Sequence, residues 1–348
     1  MTTSVTGRNA VVDADSTEIA DRLLTRLRSL DSVAVAYSGG VDSTLVLAAA
    51  LRALPVNRVL AAIADSPSLA RAELVAAREV AADLGAELVE VRVAELDVPG
   101  YRANTGDRCY FCKHTVLSAI SELAVQRGIA HVATGTHADD HRAVHRPGLR
   151  AARELRVVEP LADAGLGKRE VRLLAAAWSL PVADKPATPC LASRIAVGVP
   201  VSIDRLGLVE RAEIAVRAQL AGAGVHPRDL RVRLLGDGFQ VELDRSAHEA
   251  LATQPGLTGA VFTALADLGL TGPGQVWTYR SPAVRSSPTP TPRTSGSGRG
   301  VNDMASGTNG TAFPAKAGRG VDVHHDTRAA TPRAGSAAAR ADLGNGGG

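Results

Sequence analysis

Val33-Ala-Val-Ala-Tyr-Ser-Gly-Gly-Val-Asp-Ser43 is the stretch whose reading decides the fold. Val33 to Tyr37 is apolar, β-branched in part and too short for a helix, so it reads as a buried strand. Ser38, Gly39 and Gly40 then let the backbone turn sharply and approach a ligand closely. Asp42, Ser43 and Thr44 open a helix that continues through Leu45, Val46, Leu47 and Leu51. Strand, glycine turn and helix N-terminus together make an anion site, because amide N–H groups converge there and the helix dipole favours negative charge. A phosphate is the natural guest.

A Gly-Gly pair alone marks no more than a tight turn. The full string Ser-Gly-Gly-Val-Asp-Ser is more specific, and it lacks the lysine of the Gly-x-x-x-x-Gly-Lys-Ser/Thr loop that handles γ-phosphates. It resembles the PP-loop of the N-type ATP pyrophosphatases, which cleave ATP between the α and β phosphates and adenylate a substrate oxygen. The resemblance implies that Ser38, Gly39, Gly40 and Ser43 hold ATP phosphates and that Asp42 helps bind Mg²⁺.

The surroundings agree. Ile19, Leu23, Leu24, Leu27 and Leu30 recur at helical spacing from Ser16 and lead into the loop strand. Residues 58–64 and 87–93 read as further strands, 69–84 as a helix ended by Gly85, 113–127 as a helix ended by Gly128, and 130–134 as a fourth strand. Strands alternating with helices predict an α/β domain over residues 16–185, a parallel sheet with helices on both faces and ligands at its carboxyl edge. The loop falls on that edge.

Pro181, Pro186 and Pro189 punctuate a linker-like passage ahead of a small α+β domain at residues 186–280. There, a helix over 203–221 precedes two strands, 230–235 and 239–243, which straddle Gly236-Asp-Gly238 as a hairpin. A further helix within 248–268 and a strand over 275–279 complete it. Residues 1–15 are polar and read as frayed, and residues 281–348 read as a disordered Ser/Pro/Gly/Ala-rich tail.

Of 39 basic and 36 acidic residues, eight and four lie beyond residue 280, leaving 31 against 32 in the body. A near-neutral body is no basis for a nucleic-acid partner. No apolar run approaches the ~20 residues of a membrane span, and no secretory signal is visible, so a cytoplasmic location is expected.

Three cysteines are poor material for a disulfide framework and better material for metal or catalysis. Cys109-Tyr-Phe-Cys112 lies between the third strand and the next helix, and Cys190 lies far along the chain. The pattern admits an iron–sulfur cluster with one open iron, or zinc with His114, His137 or His141 as fourth ligand. It also admits a redox dithiol, or cysteines buried simply as small hydrophobes.

Taken together, several motifs resemble the LarE family: the phosphate loop, 107–113, Gly135-Thr-His-Ala-Asp139-Asp140, Arg146-Pro-Gly148 and Pro189-Cys-Leu-Ala-Ser-Arg194. These are ATP-dependent sulfur transferases that make the nickel-pincer nucleotide cofactor. The resemblance covers about residues 16–280, with His137 standing where the family usually has Asn and no clear glycine-rich ending near 271–279. It implies adenylation of a carboxylate on a pyridinium biscarboxylate mononucleotide, pyrophosphate release, and displacement of AMP by sulfur. Single-cysteine members sacrifice the sulfur of the position matching Cys190; three-cysteine members are thought to bind a [4Fe–4S] cluster, here through Cys109, Cys112 and Cys190. The resemblance places Gly135 and Asp139 with the nucleotide. Lys113 and Arg194 stand beside the cysteines and are read as steadying the acyl-adenylate. It also places Glu213, Arg231, Arg233 and Glu242 in a phosphate or metal pocket, and it implies a homo-oligomer. The competing readings are another PP-loop ligase, such as a tRNA thiolase or an amidotransferase, and a non-catalytic metal- or nucleotide-binding module.

Overall fold

The computed structural model describes residues 6–142, 147–280 and 323–324. Helix α1 (Thr6–Arg28) starts ten residues ahead of the expected Ser16. Strand β1 (Val33–Ala36) leads through the glycine turn into α2 (Val41–Ala53), followed by β2 (Val59–Asp65), α3 (Arg71–Asp83) and β3 (Leu88–Arg92). Next come α4 (Pro99–Ala103), α5 (Arg108–Gln126), β4 (His131–Ala133), α6 (Ala138–Arg142), α7 (Pro147–Glu154), α8 (Pro160–Asp163) and α9 (Lys168–Ala177). The second domain comprises α10 (Ile203–Gly222), β5 (Leu230–Leu234), β6 (Phe239–Leu243), α11 (Arg245–Thr253), α12 (Pro255–Asp267) and β7 (Gly274–Thr278). Arg146 of the expected 146–148 motif and most of the 281–348 tail lie outside the described residues; within the tail, β8 (Val323–His324) pairs antiparallel with β3.

Four strands form a parallel sheet in the order β4-β1-β2-β3. The chain builds outward from β1 through β2 to β3, then crosses back to place β4 on the other side of β1. The carboxyl end of β1 is therefore the switch point where a crevice opens, and residues 37–43 leave β1 there. Alternation along β1 sends Val33 and Val35 into a core with α1, α2, α3 and α9, and Ala34 into a second core with α5 and α7. Both faces are covered, which is why β1 and β2 up to Ala64 are apolar throughout, while the outer β3 carries Glu90 and Arg92.

The second domain pairs β5 with β6 antiparallel and β6 with β7 parallel, over a core supplied by α10, α11 and α12. One helix was expected in 248–268, but Pro255, which opens α12, divides it into two. A separate cluster of Tyr101, Leu191, Ile195, Leu206 and Leu234 joins the domains. Asn104 fastens the same seam. It sits in the left-handed region at φ 53° and is 1% exposed; its amide donates to the carbonyls of Ala196 (2.8 Å) and Val199 (2.9 Å). The segment between residues 186 and 202 thus packs on both domains.

Asp244, the N-cap of α11, supplies a test of the second domain. Burial raises its carboxyl, but donors from Ser246, Ala247, Asp229 and Arg228 outweigh this and hold it below the usual range. A lowered folded pKa adds stability above the unfolded value near 3.9, and that stability is lost as pH falls through the folded one. Asp244→Ala should cost about 1–2 kcal/mol at pH 7 in urea unfolding, and the deficit should narrow below about pH 4. An equal deficit at both pH values would contradict this.

Candidate active site

Residues 38–43 form a compact loop. Ser43 Oγ lies 3.0 Å from Ser38 Oγ, accepts from the Ser38 amide (3.1 Å) and donates to the Gly40 carbonyl (3.2 Å). Gly40 caps α2 with no side chain capping the helix, so the N-terminal amides are left for a ligand. Gly39 has φ +68°, and a Cβ there would lie 2.8 Å from Ala77 Cβ on α3. Gly135, after β4, approaches so closely that a Cβ would lie 2.7 Å from the Ser43 nitrogen. Two glycines therefore press the loop between α3 and the β4 turn. Asp42 lies within it, on the first turn of α2; its Oδ1 is buried without a hydrogen-bond partner, and burial raises its carboxyl against the opposing pull of His137 and Lys168. An unpaired buried carboxylate oxygen at a phosphate site is what a Mg²⁺ ion would satisfy, so Asp42 fits that role.

A cavity of about 940 Å³ opens from this loop across the domain boundary. Ser38, Asp42, Ser43 and Gly135 line one end, and Cys109, Cys112, Lys113, Cys190 and Arg231 line the rest. The cysteine pair does not lie ahead of a helix, as expected, but within the first turns of α5, which begins at Arg108. Spaced three apart, Cys109 and Cys112 share a helix face. Cys190 caps the 3₁₀ turn 191–194. Burial pushes the Cys112 thiol well above its ordinary value, reinforced by Cys190, Glu95 and Cys109; Cys190 is raised by burial against the pull of Arg108. Thiols in that state need a cation or cluster to become thiolates.

Among the described residues no three His, Cys, Asp or Glu side chains converge on a point where one metal ion would sit. The histidines considered as fourth zinc ligands face elsewhere: His137 toward Asp140 at 3.6 Å, His141 toward Glu159 at 2.7 Å, and His114 against the Tyr110 ring.

Other expected residues occupy supporting positions. Arg194 is 3% exposed, pairs with Glu213 at 2.8 Å, and donates to the carbonyls of Pro189 and Cys190. Arg108 donates to the Ala192 carbonyl (2.6 Å) and Arg233 to that of Ser193 (2.8 Å). Three guanidinium groups thus hold the backbone that carries Cys190. Arg233 pairs with Glu242 at 2.8 Å, and neither lines the cavity; Arg231 does, stacked 4.1 Å over the Tyr279 ring. Asp139 is displaced from the nucleotide end. It accepts from the Lys168 amide (2.8 Å) at the start of α9 and pairs with Arg142, while the next residue, Asp140, lines the cavity.

Several lining residues carry no local sequence signal. Glu95 is 2% exposed and accepts from Ser66 Oγ (2.8 Å) and Cys112 Sγ (3.7 Å), and burial raises its carboxyl. Tyr101 adjoins it, 1% exposed with an unpaired hydroxyl. Lys185 donates to the Gly39 carbonyl (3.1 Å) and pairs with Glu73 (2.7 Å). Only Ser66-Pro-Ser68, following β2 at the carboxyl edge, had a position that could have marked it.

The family model described as asparagine synthase matches residues 18–109, which include the phosphate loop. An uncharacterized protein of Synechocystis is 43% identical over 188 residues, covering 54% of this chain and 69% of that protein. The pyridinium-3,5-bisthiocarboxylic acid mononucleotide synthase of Lactiplantibacillus plantarum is 33% identical over 221 residues, covering 64% of this chain and 78% of that enzyme. An uncharacterized protein of Methanocaldococcus jannaschii is 27% identical over 199 residues, covering 57% and 74%.

Two positive-φ glycines, Gly39 packed on α3 and Gly85 just after it, separate loop geometry from general stability. Gly39→Ala meets Ala77 and should abolish ATP binding in a nucleotide titration while the protein still folds. Gly85→Ala, at φ +69° with open space around it, should cost about 1–2 kcal/mol and leave ATP binding intact. Equal loss of ATP binding in both variants would contradict the assignment.

Proposed function

The chain belongs to the LarE family of PP-loop, ATP-dependent sulfur-transferring enzymes, and from that premise we propose that it adenylates a carboxylate of a pyridinium biscarboxylate mononucleotide and converts it to a thiocarboxylate. The observation that carries the reading is the single cavity lined by both the phosphate loop and all three cysteines.

The chemistry needs both ends of that cavity. A carboxylate is a poor electrophile because its charge is delocalised and its oxygen leaves badly. Attack of that oxygen on the α-phosphorus of ATP forms the acyl-adenylate and expels pyrophosphate. The amides and hydroxyls of residues 38–43 would grip the departing phosphates. Mg²⁺ on Asp42 would supply charge neutralisation there. Sulfur then attacks the acyl carbon and AMP leaves. Arg231, in the cavity wall, would take the phosphate of the substrate, and Lys113, beside the cysteines, would steady the acyl-adenylate. Arg194 acts differently from a substrate contact: committed to Glu213 and to two carbonyls, it would fix the Cys190 backbone.

For the sulfur source, we propose a [4Fe–4S] cluster on Cys109, Cys112 and Cys190. All three cysteines line the one cavity, and three thiolate ligands on a cubane would leave its fourth iron open. When bound, such a cluster supplies replaceable sulfide. The asparagine synthase match ends at residue 109 and so covers the phosphate loop but neither Cys112 nor Cys190, whereas the similarity to the mononucleotide synthase spans 221 residues.

Two measurements test the proposal. With MgATP and the pyridinium biscarboxylate mononucleotide, the enzyme should release pyrophosphate and form thiocarboxylate; Cys190→Ala should keep the first and lose the second. No pyrophosphate release would overturn the adenylation step. Anaerobic purification should yield iron, sulfide and absorbance near ~400 nm that Cys109→Ala abolishes. An iron-free, active protein whose Cys190 becomes lighter by one H₂S would instead identify that residue as a one-turnover donor.

A further inference from the structure

Lys185 has no place in the mechanism above, yet its position is built with some care. Arg172 on α9 donates to the carbonyls of Ala183 (2.7 Å) and Lys185 (3.1 Å), which fixes the backbone at this point. From the second domain, Arg231 donates to the carbonyl of Ala187 (3.3 Å). The side chain lines the cavity and is 21% exposed. Its ammonium reaches the phosphate loop itself, at the carbonyl of Gly39, and pairs with Glu73 on the first turn of α3. An ammonium has three N–H groups; Gly39 and Glu73 take two.

We propose that Lys185 is a phosphate-binding residue of the nucleotide site, giving its third N–H to the β or γ phosphate of ATP and thereby coupling the triphosphate to the segment that carries Cys190. Three features favour this. The ammonium already stands on the loop that would cradle the phosphates. A triphosphate carries more charge than Glu73 and can compete for the lysine. Only Pro186, Ala187, Thr188 and Pro189 separate Lys185 from Cys190, and two prolines keep that connection stiff. A shift of the ammonium onto phosphate is thus transmitted to the sulfur-bearing residue. The proposal rests on the reading that residues 38–43 bind ATP.

Lys185→Met, Lys185→Arg and the wild type should be titrated with MgATP and separately with AMP, which lacks the β and γ phosphates. Lys185→Met should weaken MgATP binding about 10- to 100-fold, the range of a lost charged hydrogen bond, while AMP affinity stays within about twofold. Lys185→Arg should recover part of the loss. Unchanged MgATP affinity, or equal weakening of ATP and AMP, would overturn the phosphate contact. Coupling is read from alkylation of Cys190 by iodoacetamide with saturating MgATP, in protein carrying no iron so that the thiol is free: the nucleotide should change the rate in the wild type more than in Lys185→Met. An identical change in both would leave simple shielding and overturn the coupling. Should Lys185→Met fail to fold, Glu73→Gln serves instead; releasing the ammonium should tighten MgATP about threefold, and an unchanged or weaker affinity contradicts the proposal. A wild type that binds neither MgATP nor AMP would sink the nucleotide reading itself, a result distinct from any of these.

Discussion

The site depends on the close approach of three backbones at the carboxyl end of β1. Residues 38–43 turn from strand into helix with Ala77 on one side and Gly135 on the other, at distances that exclude a Cβ at Gly39 or Gly135. That packing fixes where the uncapped amides of α2 point. Everything chemical is then measured from this fixed anion site. The cost is a site that admits no side chain at Gly39 or Gly135, and the gain is a phosphate cradle that needs little reorganisation when charge develops.

From that anchor, the second domain and the seam segment bring sulfur chemistry to the phosphate end. Cys109 and Cys112 arrive on α5, packed against the sheet's other face; Cys190 arrives on a 3₁₀ turn whose carbonyls are held by Arg108, Arg194 and Arg233. Each of those arginines is also tied down, to Asn104, Glu213 and Glu242 respectively. Arg194, which is buried, and Arg233, which is half-buried, each have a carboxylate partner as well as a carbonyl acceptor, and losing the partner of the buried one would leave a costly orphan. The arrangement makes the position of Cys190 a property of both domains together, since its supports come from α5, the turn itself and β5.

Much of this was legible in the residues. The strand-glycine-helix passage at 33–53, the parallel alternation around it and the 230–243 hairpin follow from apolar periodicity and turn chemistry, which are local. What the residues left open was decided by phase or by distance. Asp139 and Asp140 are adjacent, and only the short α6 determines that the first accepts from the Lys168 amide at the start of α9 while the second faces the cavity. α5 starts at Arg108, five residues ahead of the expected Lys113, with Asp107 as its N-cap residue; that residue type was the one local signal for the earlier start. Glu242 lies across the hairpin as expected, directly opposite Arg231, yet its ion pair is with the diagonal Arg233, whose contact with the Ser193 carbonyl depends on a segment forty residues away. Glu95, Tyr101 and Lys185 sit in no motif; tertiary packing alone brings them to the cavity.

The central claim is that nucleotide activation and sulfur delivery share one cavity. A crystal structure with Mg²⁺ and a non-hydrolysable ATP analogue tests it most directly. The account predicts phosphates on the amides of residues 38–43, metal at Asp42, and an α-phosphorus open on its free side to the space bordered by Cys190. A nucleotide seated outside the cavity, or one whose α-phosphorus is walled off from the cysteines, would contradict it.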